Sequence, residues 1–295
     1  MIETIYKVIV PTGLMLMMFG MGLQLVVDDW LRVVRYPRAV VVGMVGQFIA
    51  LPLIAVALVY FLPLPLAISA GLIILAVCPG GITSNSVSFL ARGDLALSVT
   101  LTAISSLLAL ITIPLFLSFG LALVQDGAVD AVVLPIGSTV KQLLVLVFVP
   151  LVLGMVVRHY APGFAVRSDP WVRAGGVALL LTLLVGAVAL EYDFFIGNLK
   201  KLWPVLFALN IASMAAGYLL ARLARLDGTQ CRTICIEVGI QNVALGAMIA
   251  MTILKRPDWM VVSSVYSVVM SVTSFVFIGA VAYNRRRALA GSTAS

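Results

Sequence analysis

The sequence contains little charge and almost no histidine. Asp, Glu, Lys and Arg make up 11% of its 295 residues, whereas they make up about a quarter of an average soluble domain. An ordinary water-soluble domain is therefore excluded. The one histidine, His159, is expected in a polar loop beside Arg158. This argues against a triad that needs a buried histidine and against a metal site built from histidines.

Cysteine is also scarce. Cys78, Cys231 and Cys235 are odd in number, and none of them forms a Cys-x-x-Cys motif. Cys231 and Cys235 have the i, i+4 spacing that places two side chains on one face of a helix. Packing inside the protein is therefore favoured over metal binding or redox chemistry.

Apolar residues are in large excess. The chain is 62% hydrophobic and its mean hydropathy is +1.16, and a membrane-crossing helix needs about 20 apolar residues. Apolar runs bounded by charges, proline and glycine predict nine spans, at about 4–26, 38–60, 64–91, 94–122, 131–157, 172–190, 202–224, 228–254 and 258–284. The first is interpreted as a retained span, since it lacks a cleavage motif and is too long for a signal peptide. The predicted fold class is an all-α polytopic membrane protein with nine transmembrane helices.

Basic residues predict the orientation of these spans. A net charge of +7 is also typical of nucleic-acid-binding proteins, but in a membrane protein basic residues usually mark the cytoplasmic side. Thirteen Lys and Arg fall on one side of the predicted spans and five on the other, with Lys141 inside the fifth span. We therefore expect a multi-pass protein of the inner (plasma) membrane with the amino terminus outside, the carboxy terminus in the cytoplasm, and no nucleic-acid partner.

Two of the nine spans do not have the pattern of a continuous helix. Residues 64–91 contain Cys78-Pro-Gly-Gly-Ile-Thr-Ser-Asn-Ser-Val-Ser88, and residues 228–254 contain Glu237-Val-Gly-Ile-Gln-Asn242. Unwound backbone is tolerated at mid-membrane only where it is buried or lines a cavity. The two breaks are five spans apart, so spans 2–4 and 7–9 are predicted to be inverted repeats with a broken helix in each, as in many secondary transporters.

Glu237 is the one acidic residue predicted deep within a span, since the other eleven lie in loops, tails or span ends. An ionised acid at a helix centre costs roughly 2.5–3.5 kcal/mol on insertion scales. It is tolerated with a proton or a cationic partner, and Lys141, the only basic candidate, lies near the outer end of another span. A bound metal cation is therefore an attractive partner.

Oxygen ligands for such a cation are available around both breaks. Ser98 and Thr102 share one helix face, and the backbone carbonyls of Val238 and Ile240 would be free if the helix unwinds at Gly239. The other candidate side chains are Gln47, Ser84, Asn85, Gln241 and Asn242. The alternatives stay open at this point: serine and threonine often bond back to their own helix, and Gln47 or Asn85 could simply join helices together.

Four motifs in order resemble the bile acid:sodium symporter family: Phe19-Gly-Met-Gly-Leu23, Cys78-Pro-Gly-Gly-x-x-Ser-Asn85, Leu90-Ala-Arg-Gly-Asp-Leu-Ala-Leu-Ser98 and Glu237-Val-Gly-x-Gln-Asn242. The resemblance runs from about residue 10 to residue 284. It implies a core domain with two crossing broken helices and a smaller panel domain. The implied division is a panel helix at 1–30, core repeat one at 38–122 (broken helix 64–91), panel helices at 131–190, core repeat two at 202–284 (broken helix 228–254) and a cytoplasmic tail at 285–295.

The resemblance also implies two sodium ions and a place for the substrate. One sodium site would use Ser84, Asn85, Ser98, Thr102 and Glu237. The second would use Gln47, Glu237, Gln241 and the backbone of Val238 and Ile240. Substrate would bind beside the crossover, near Ile82, Thr83 and Asn242. Bacterial members often have ten spans, and this sequence matches them without the first.

The function predicted from the sequence is sodium-coupled symport of an organic anion, bile acid-like or a small carboxylate, by alternating access. A proton-coupled carrier that uses Glu237, or an uncoupled organic-anion or metalloid transporter of the same fold, is the alternative. An intramembrane enzyme is disfavoured because the membrane interior offers one carboxylate and no histidine. A pore is disfavoured because polarity clusters at two breaks and does not line a whole span. The expected partners are the organic anion and the lipid bilayer, with no obligate protein partner.

Overall fold

Helices account for almost all of the chain that the computed structural model describes, which comprises residues 2–26, 36–124 and 134–292. In chain order they are α1 (Ile2–Gln24), α2 (Pro37–Phe61), α3 (Leu66–Val77), α4 (Ile82–Leu90), α5 (Leu95–Val124), α6 (Ile136–Tyr160), α7 (Pro162–Leu190), α8 (Tyr192–Leu223), α9 (Gly228–Gly239), α10 (Val243–Ile253) and α11 (Pro257–Ser292). One turn of α2, α6 and α10 is π-helical, at Gly46–Ala50, Leu144–Phe148 and Ile249–Ile253. No strand occurs within the described ranges, and the predicted all-α class is confirmed.

The long helices have the length and the surface of membrane spans. Six of them, α2, α5, α6, α7, α8 and α11, are long and apolar enough to cross a bilayer. Large apolar side chains such as Leu53, Phe119 and Val185 project from them into the surroundings, as expected of a surface that faces lipid. The chain is therefore a multi-pass membrane protein. The number nine stays a prediction, since the apolar stretches Val8–Gln24, Leu66–Val77 and Val243–Ile253 are each shorter than a full span.

Two of the predicted connections are wrong. Residues 158–171 are not a loop, because α6 continues to Tyr160 and α7 begins at Pro162, so His159 lies in the last turn of α6. Pro162 occupies the first turn of α7, where a missing N–H costs nothing. Similarly, α8 begins at Tyr192, about ten residues before the predicted span, and it includes Lys200 and Lys201. Residues 27–35 of the predicted loop at 27–37, the first residues of the span at 131–157 and the last three residues of the tail lie outside the described residues.

Helices α1 and α6 pack with their backbones in direct contact. A Cβ atom added to Gly22 would collide with the carbonyl oxygen of Leu151, and one added to Gly154 would collide with that of Phe19. Small residues at a membrane helix interface allow this close approach, because helices in lipid associate through van der Waals packing. The Gly22–Gly154 contact therefore joins α1 to α6 tightly.

The most enclosed part of the molecule is formed by α3, α9 and α10. Residues 67–77 of α3 are all buried, as is every residue of α10 except Thr252. Helix α3 packs against α2, α5 and α11, and α10 packs against α1, α3 and α11. A helix that is apolar and covered on all sides belongs to the interior of a bundle. Cys78, Cys231 and Cys235 are buried and unpaired.

Both predicted helix breaks are present, and they meet. The chain is unwound at 78–81 between α3 and α4, and at 240–242 between α9 and α10. Gly80 forms an antiparallel bridge with Gln241, and the N–H of Asn242 donates to the carbonyl of Pro79 at 2.9 Å. Each break therefore satisfies backbone groups of the other, which is how irregular backbone persists inside a membrane protein.

Candidate cation site and substrate cavity

Four polar side chains from α4 and α5 lie around the side chain of Glu237 on α9. Ser98 Oγ lies 3.0 Å from Glu237 Oε2 and 3.0 Å from Asn85 Oδ1. Thr102 Oγ1 contacts Glu237 Oε1 and lies 3.3 Å from Asn85 Oδ1. Ser84 Oγ lies 3.4 Å from Thr102 Oγ1 and donates to the carbonyl of Gly81 at 2.7 Å. All five side chains are buried. We call these residues, Ser84, Asn85, Ser98, Thr102 and Glu237, the carboxylate cluster.

Local structure explains why these side chains converge. Ser98 and Thr102 are one turn apart on α5, so both hydroxyls face the end of α9, where Glu237 lies. Ser84 and Asn85 lie in the first turn of α4, immediately after the first break. Gly80 lies within the break, and a Cβ there would overlap Glu237 Oε1. A glycine at this position is therefore what allows the carboxylate to reach the break.

The carboxylate cluster contains more acceptors than donors. The ionised carboxylate of Glu237 and the amide oxygen of Asn85 together offer six lone pairs, and the three hydroxyl oxygens offer six more, against three hydroxyl protons and two amide protons. Within the described part of the chain, no basic side chain hydrogen-bonds or pairs with Glu237. Lys141 is exposed on α6. Asn85 Nδ2 is buried without a hydrogen-bond partner. Hard oxygen donors around one buried carboxylate suit an alkali cation.

A second polar cluster lies where α2 passes the two breaks. Gln47 Nε2 donates to the carbonyl of Cys78 and to Gln241 Oε1, both at 2.8 Å. Gln241 Nε2 in turn donates to the carbonyl of Val238 at 2.8 Å. Gln47 lies in the π-helical turn of α2, a type of irregularity that often occurs at functional sites. We call Gln47, Gln241 and the carbonyl of Val238 the amide cluster.

The amide cluster contains part of the second predicted ligand set. Gln47 Oε1 is buried and has no hydrogen-bond partner, so it is an oxygen available to a cation. Ile240 lies in the unwound segment at 240–242, and its N–H is bonded to the carbonyl of Ile236 at 2.9 Å. No hydrogen bond among the described residues joins Glu237 to Gln47 or Gln241. The structure therefore groups Gln47, Gln241 and Val238, and it places Glu237 in the carboxylate cluster.

An apolar cavity of about 510 Å³ adjoins α4. Ile82 and Thr83 line it, together with residues of α1, α7 and α11 that include Met17, Leu180 and Ser271. None of the described residues that line it is charged, and serine and threonine hydroxyls interrupt its apolar walls. The third predicted substrate residue, Asn242, is not part of this lining. It is buried and caps α10, accepting a hydrogen bond of 3.1 Å from the N–H of Leu245.

Two residues at the second break are not predicted from the sequence. Asn210 on α8 and Tyr266 on α11 are fully buried, and both donate hydrogen bonds to the carbonyl of Gly239. Neither residue belongs to a motif. The available signal was weak: each is an isolated polar group in the apolar part of a long span, and such groups in membrane helices usually have a partner.

Comparison with known proteins identifies similar sequences. Residues 11–198 match the model of the sodium bile acid symporter family. The chain is 35% identical over 260 residues to an uncharacterized sodium-dependent transporter of Bacillus subtilis (strain 168), covering 86% of this chain and 76% of that protein. It is 31% identical over 283 residues to the human ileal sodium/bile acid cotransporter, covering 94% and 80%. It is 34% identical over 270 residues to a probable chloroplastic sodium/metabolite cotransporter of Arabidopsis thaliana, covering 90% and 65%.

Proposed function

Because this chain belongs to the sodium bile acid symporter family, we propose that it carries an organic anion across the membrane together with two sodium ions. It is a sodium-coupled membrane transporter and not an enzyme, as its family consists of such transporters. The observation that carries the proposal is the carboxylate cluster, in which a buried acid is surrounded by neutral oxygens and has no basic partner among the described residues.

The first proposed sodium ion binds in the carboxylate cluster. The hydroxyls of Ser84, Ser98 and Thr102 would turn their protons away and present lone pairs, as would the amide oxygen of Asn85. Glu237 supplies the negative charge. A cation there replaces the proton that an isolated buried carboxyl would otherwise need, so binding changes the charge of the site without leaving an unpaired ion in the membrane.

The second proposed ion binds beside the amide cluster. Gln47 Oε1 has no hydrogen-bond partner, Gln241 Oε1 accepts from Gln47, and the carbonyl of Val238 has a second lone pair. The carbonyl of Ile240 and the carboxylate of Glu237 complete the proposed ligand set. Glu237 would then be shared, which couples the occupancy of the two sites through one charge.

Sodium binding in these sites links the two breaks. The proposed ligands come from α2, α4, α5, α9 and the unwound segment 240–242, and the breaks already contact each other through Gly80 and Gln241. Occupied sites therefore favour one arrangement of the broken helices over others, and a ligand shifts an equilibrium by its difference in affinity for the two states. We infer that this arrangement is the one that binds the organic anion.

The organic anion is proposed to bind near Ile82, Thr83 and Asn242, in the cavity that Ile82 and Thr83 line. Apolar walls with scattered hydroxyls suit an amphipathic molecule, and among the described lining residues there is no acidic side chain to repel an anion. The cavity lies between α4 and α11 on one side and α1 and α7 on the other. In the proposed division, the first pair belongs to the core domain and the second to the panel, so their relative movement would expose the cavity to each side in turn.

The membrane placement follows the distribution of Lys and Arg. The proposed orientation has the amino terminus outside and the carboxy terminus in the cytoplasm, in the plasma membrane. Two sodium ions with a monoanion carry a net positive charge inward, which yields about 2.3 kcal/mol per 100 mV of membrane potential. Transport is therefore expected to be electrogenic.

Binding of a panel of organic anions to the purified protein tests the proposal. Wild type is compared with Glu237→Gln, in sodium and in choline, and Glu191→Gln serves as the control because this acid lies outside the carboxylate cluster, between α7 and α8. Sodium-dependent binding that only Glu237→Gln abolishes supports the symporter. Binding that ignores sodium but changes with pH through Glu237 would instead identify a proton-coupled carrier.

A further inference from the structure

The carbonyl of Gly239, the last residue of α9, is held by two side chains from other helices. Asn210 Nδ2 donates to it at 2.8 Å and the Tyr266 hydroxyl donates to it at 2.7 Å. Asn210 Nδ2 also lies 3.0 Å from the Tyr266 oxygen. Asn210 donates one amide proton to the carbonyl of Gly239 and the other to the Tyr266 oxygen, and Tyr266 donates its hydroxyl proton to the carbonyl of Gly239. All three protons are thus used. We call Asn210 and Tyr266 the Gly239 clamp.

This carbonyl is one that a broken helix cannot satisfy itself. The last carbonyls of a helix have no partner within it, and a buried carbonyl is costly unless a group outside the helix bonds to it. Asn210 and Tyr266 are each 0% exposed. The Gly239 clamp therefore determines where α9 ends and in which direction its final peptide points.

The end of α9 carries two of the proposed sodium ligands. Val238 precedes Gly239 directly, and Glu237 precedes Val238. The backbone from Glu237 to Gly239 is helical and buried, so a change at the carbonyl of Gly239 is transmitted to both neighbours. By contrast, neither Asn210 nor Tyr266 contacts the carboxylate cluster through a hydrogen bond among the described residues.

The first break has a matching arrangement. Gln47 on α2 donates its amide to the carbonyl of Cys78, the first residue after α3, much as Asn210 on α8 donates to the carbonyl of Gly239 at the end of α9. In both residues the side-chain oxygen is buried and has no hydrogen-bond partner. Two long helices in opposite halves of the chain thus hold the two broken helices in the same way.

We propose that Asn210 and Tyr266 are positioning residues for sodium: by holding the carbonyl of Gly239 they set the affinity of the ligands at Glu237 and Val238. The inference rests on the proposed function, since it requires a sodium site at Glu237. Neither residue supplies a ligand, and both act through the geometry of the second break.

Binding of radioactive sodium to the purified protein tests the inference without knowledge of the substrate. Tyr266→Phe removes one hydroxyl and keeps the ring that fills the interior. It is expected to weaken sodium affinity about five- to tenfold, the effect of losing about one hydrogen bond. The number of sodium ions bound per protein and the melting temperature in sodium-free buffer are expected to stay close to wild type. Asn210→Leu, which has nearly the same shape and lacks the donor, is expected to weaken affinity further.

Ser263→Ala is the matched control. Ser263 lies one turn before Tyr266 on α11, and its buried hydroxyl has no hydrogen-bond partner, so its removal tests the loss of a buried hydroxyl alone. A further readout is the preference for sodium over lithium, which a merely destabilised protein would retain and a displaced ligand set would not. We expect this preference to fall in Tyr266→Phe and to be unchanged in Ser263→Ala.

The outcomes separate the inference from the proposal on which it rests. If wild type binds no sodium, or Glu237→Gln binds it as wild type does, the proposed site itself is wrong. If Glu237→Gln loses binding but Tyr266→Phe keeps the wild-type affinity and ion preference, the sodium site stands and the role of the Gly239 clamp is refuted. Should Asn210→Leu fail to fold, Tyr266→Phe decides the question alone.

Discussion

Ser98 and Glu237 are 139 positions apart in the chain, and their side-chain oxygens lie 3.0 Å from each other. This contact joins α5, which follows the first break, to α9, which precedes the second. The other carboxylate oxygen of Glu237 contacts the hydroxyl of Thr102, one turn further along α5. A single carboxylate thus connects the two halves of the protein, and any ion that binds it contacts both halves.

The hydroxyls on α5 are expected to be required individually. Ser98→Ala and Thr102→Val each remove one oxygen from the carboxylate cluster, and each is expected to weaken sodium binding about tenfold, equivalent to about 1.4 kcal/mol. Thr100→Val is the matched control, because Thr100 lies between them on the same helix and donates back to the carbonyl of Ala96 at 2.8 Å. Sodium titrations of the purified variants measure the effect. Equal affinity in all three variants would place sodium elsewhere.

Gly80→Ala tests whether the carboxylate must touch the first break. The added methyl group would occupy the space of Glu237 Oε1, so either the carboxylate or the break has to move. We expect sodium affinity to fall more than tenfold and stability to fall by about 1–3 kcal/mol, the usual cost of overpacking a tight interior. Gly137→Ala provides the comparison, since nothing lies within 4 Å of a Cβ at that position. Wild-type sodium binding in Gly80→Ala would contradict the close approach.

Thr83→Phe separates the substrate cavity from the cation site. Thr83 lines the cavity of about 510 Å³, and a larger side chain there would fill part of it. Binding of the organic anion is expected to weaken at least about tenfold, while sodium affinity without substrate stays unchanged. Thr182→Phe on α7 is the control, because Thr182 is not among the residues that line this cavity. Loss of sodium affinity in Thr83→Phe alone would show that the two regions cannot be separated.

Asp227 is expected to stabilise α9 from outside the membrane. Its carboxylate caps the helix by accepting from the N–H groups of Thr229 and Gln230 at 2.8 and 3.0 Å. The pKa of Asp227 lies below its ordinary value, chiefly because the Thr229 hydroxyl donates a hydrogen bond to the carboxylate. The two backbone hydrogen bonds lower this pKa further. A folded-state pKa below the unfolded one means that the stabilisation is complete above about pH 4 and is lost as the pH falls through the folded-state pKa.

Melting curves of Asp227→Ala and Asp227→Ser measure this cap. Alanine is expected to cost about 1 kcal/mol at neutral pH, and serine, itself a good cap, much less. The wild-type protein should lose its advantage over Asp227→Ala as the pH falls below 4. An advantage that persists unchanged at pH 2–3 would show that the charge of Asp227 contributes nothing.

The sequence predicts most of the carboxylate cluster because its members carry unusual signals. A proline followed by two glycines interrupts an apolar run at Pro79, and Glu237 is an acid where acids are costly. Ser98 and Thr102 have helical spacing. Each signal is local, so a single sequence suffices to detect it, and the structure brings all of these residues together.

Other features could not be predicted because they depend on three-dimensional packing. Asn210 and Tyr266 are single polar residues in apolar helices, and only the meeting of α8, α9 and α11 gives them a shared carbonyl. The π-helical turn at Gln47 has no sequence period of its own. Helices α7 and α8 each begin about ten residues before the predicted spans. The charged residues in these first turns are typical of loops, but lysine and arginine are also good helix formers.

The bridge between Gly80 and Gln241 has a consequence for how the protein is made. The ribosome completes the first break long before the second exists, so the newly inserted first half holds a carbonyl at Pro79 that still lacks the N–H of Asn242. Unsatisfied backbone of this kind is costly in a bilayer. The first half is thus expected to reach its final structure only after α9 and α10, with Asn242 between them, have entered the membrane.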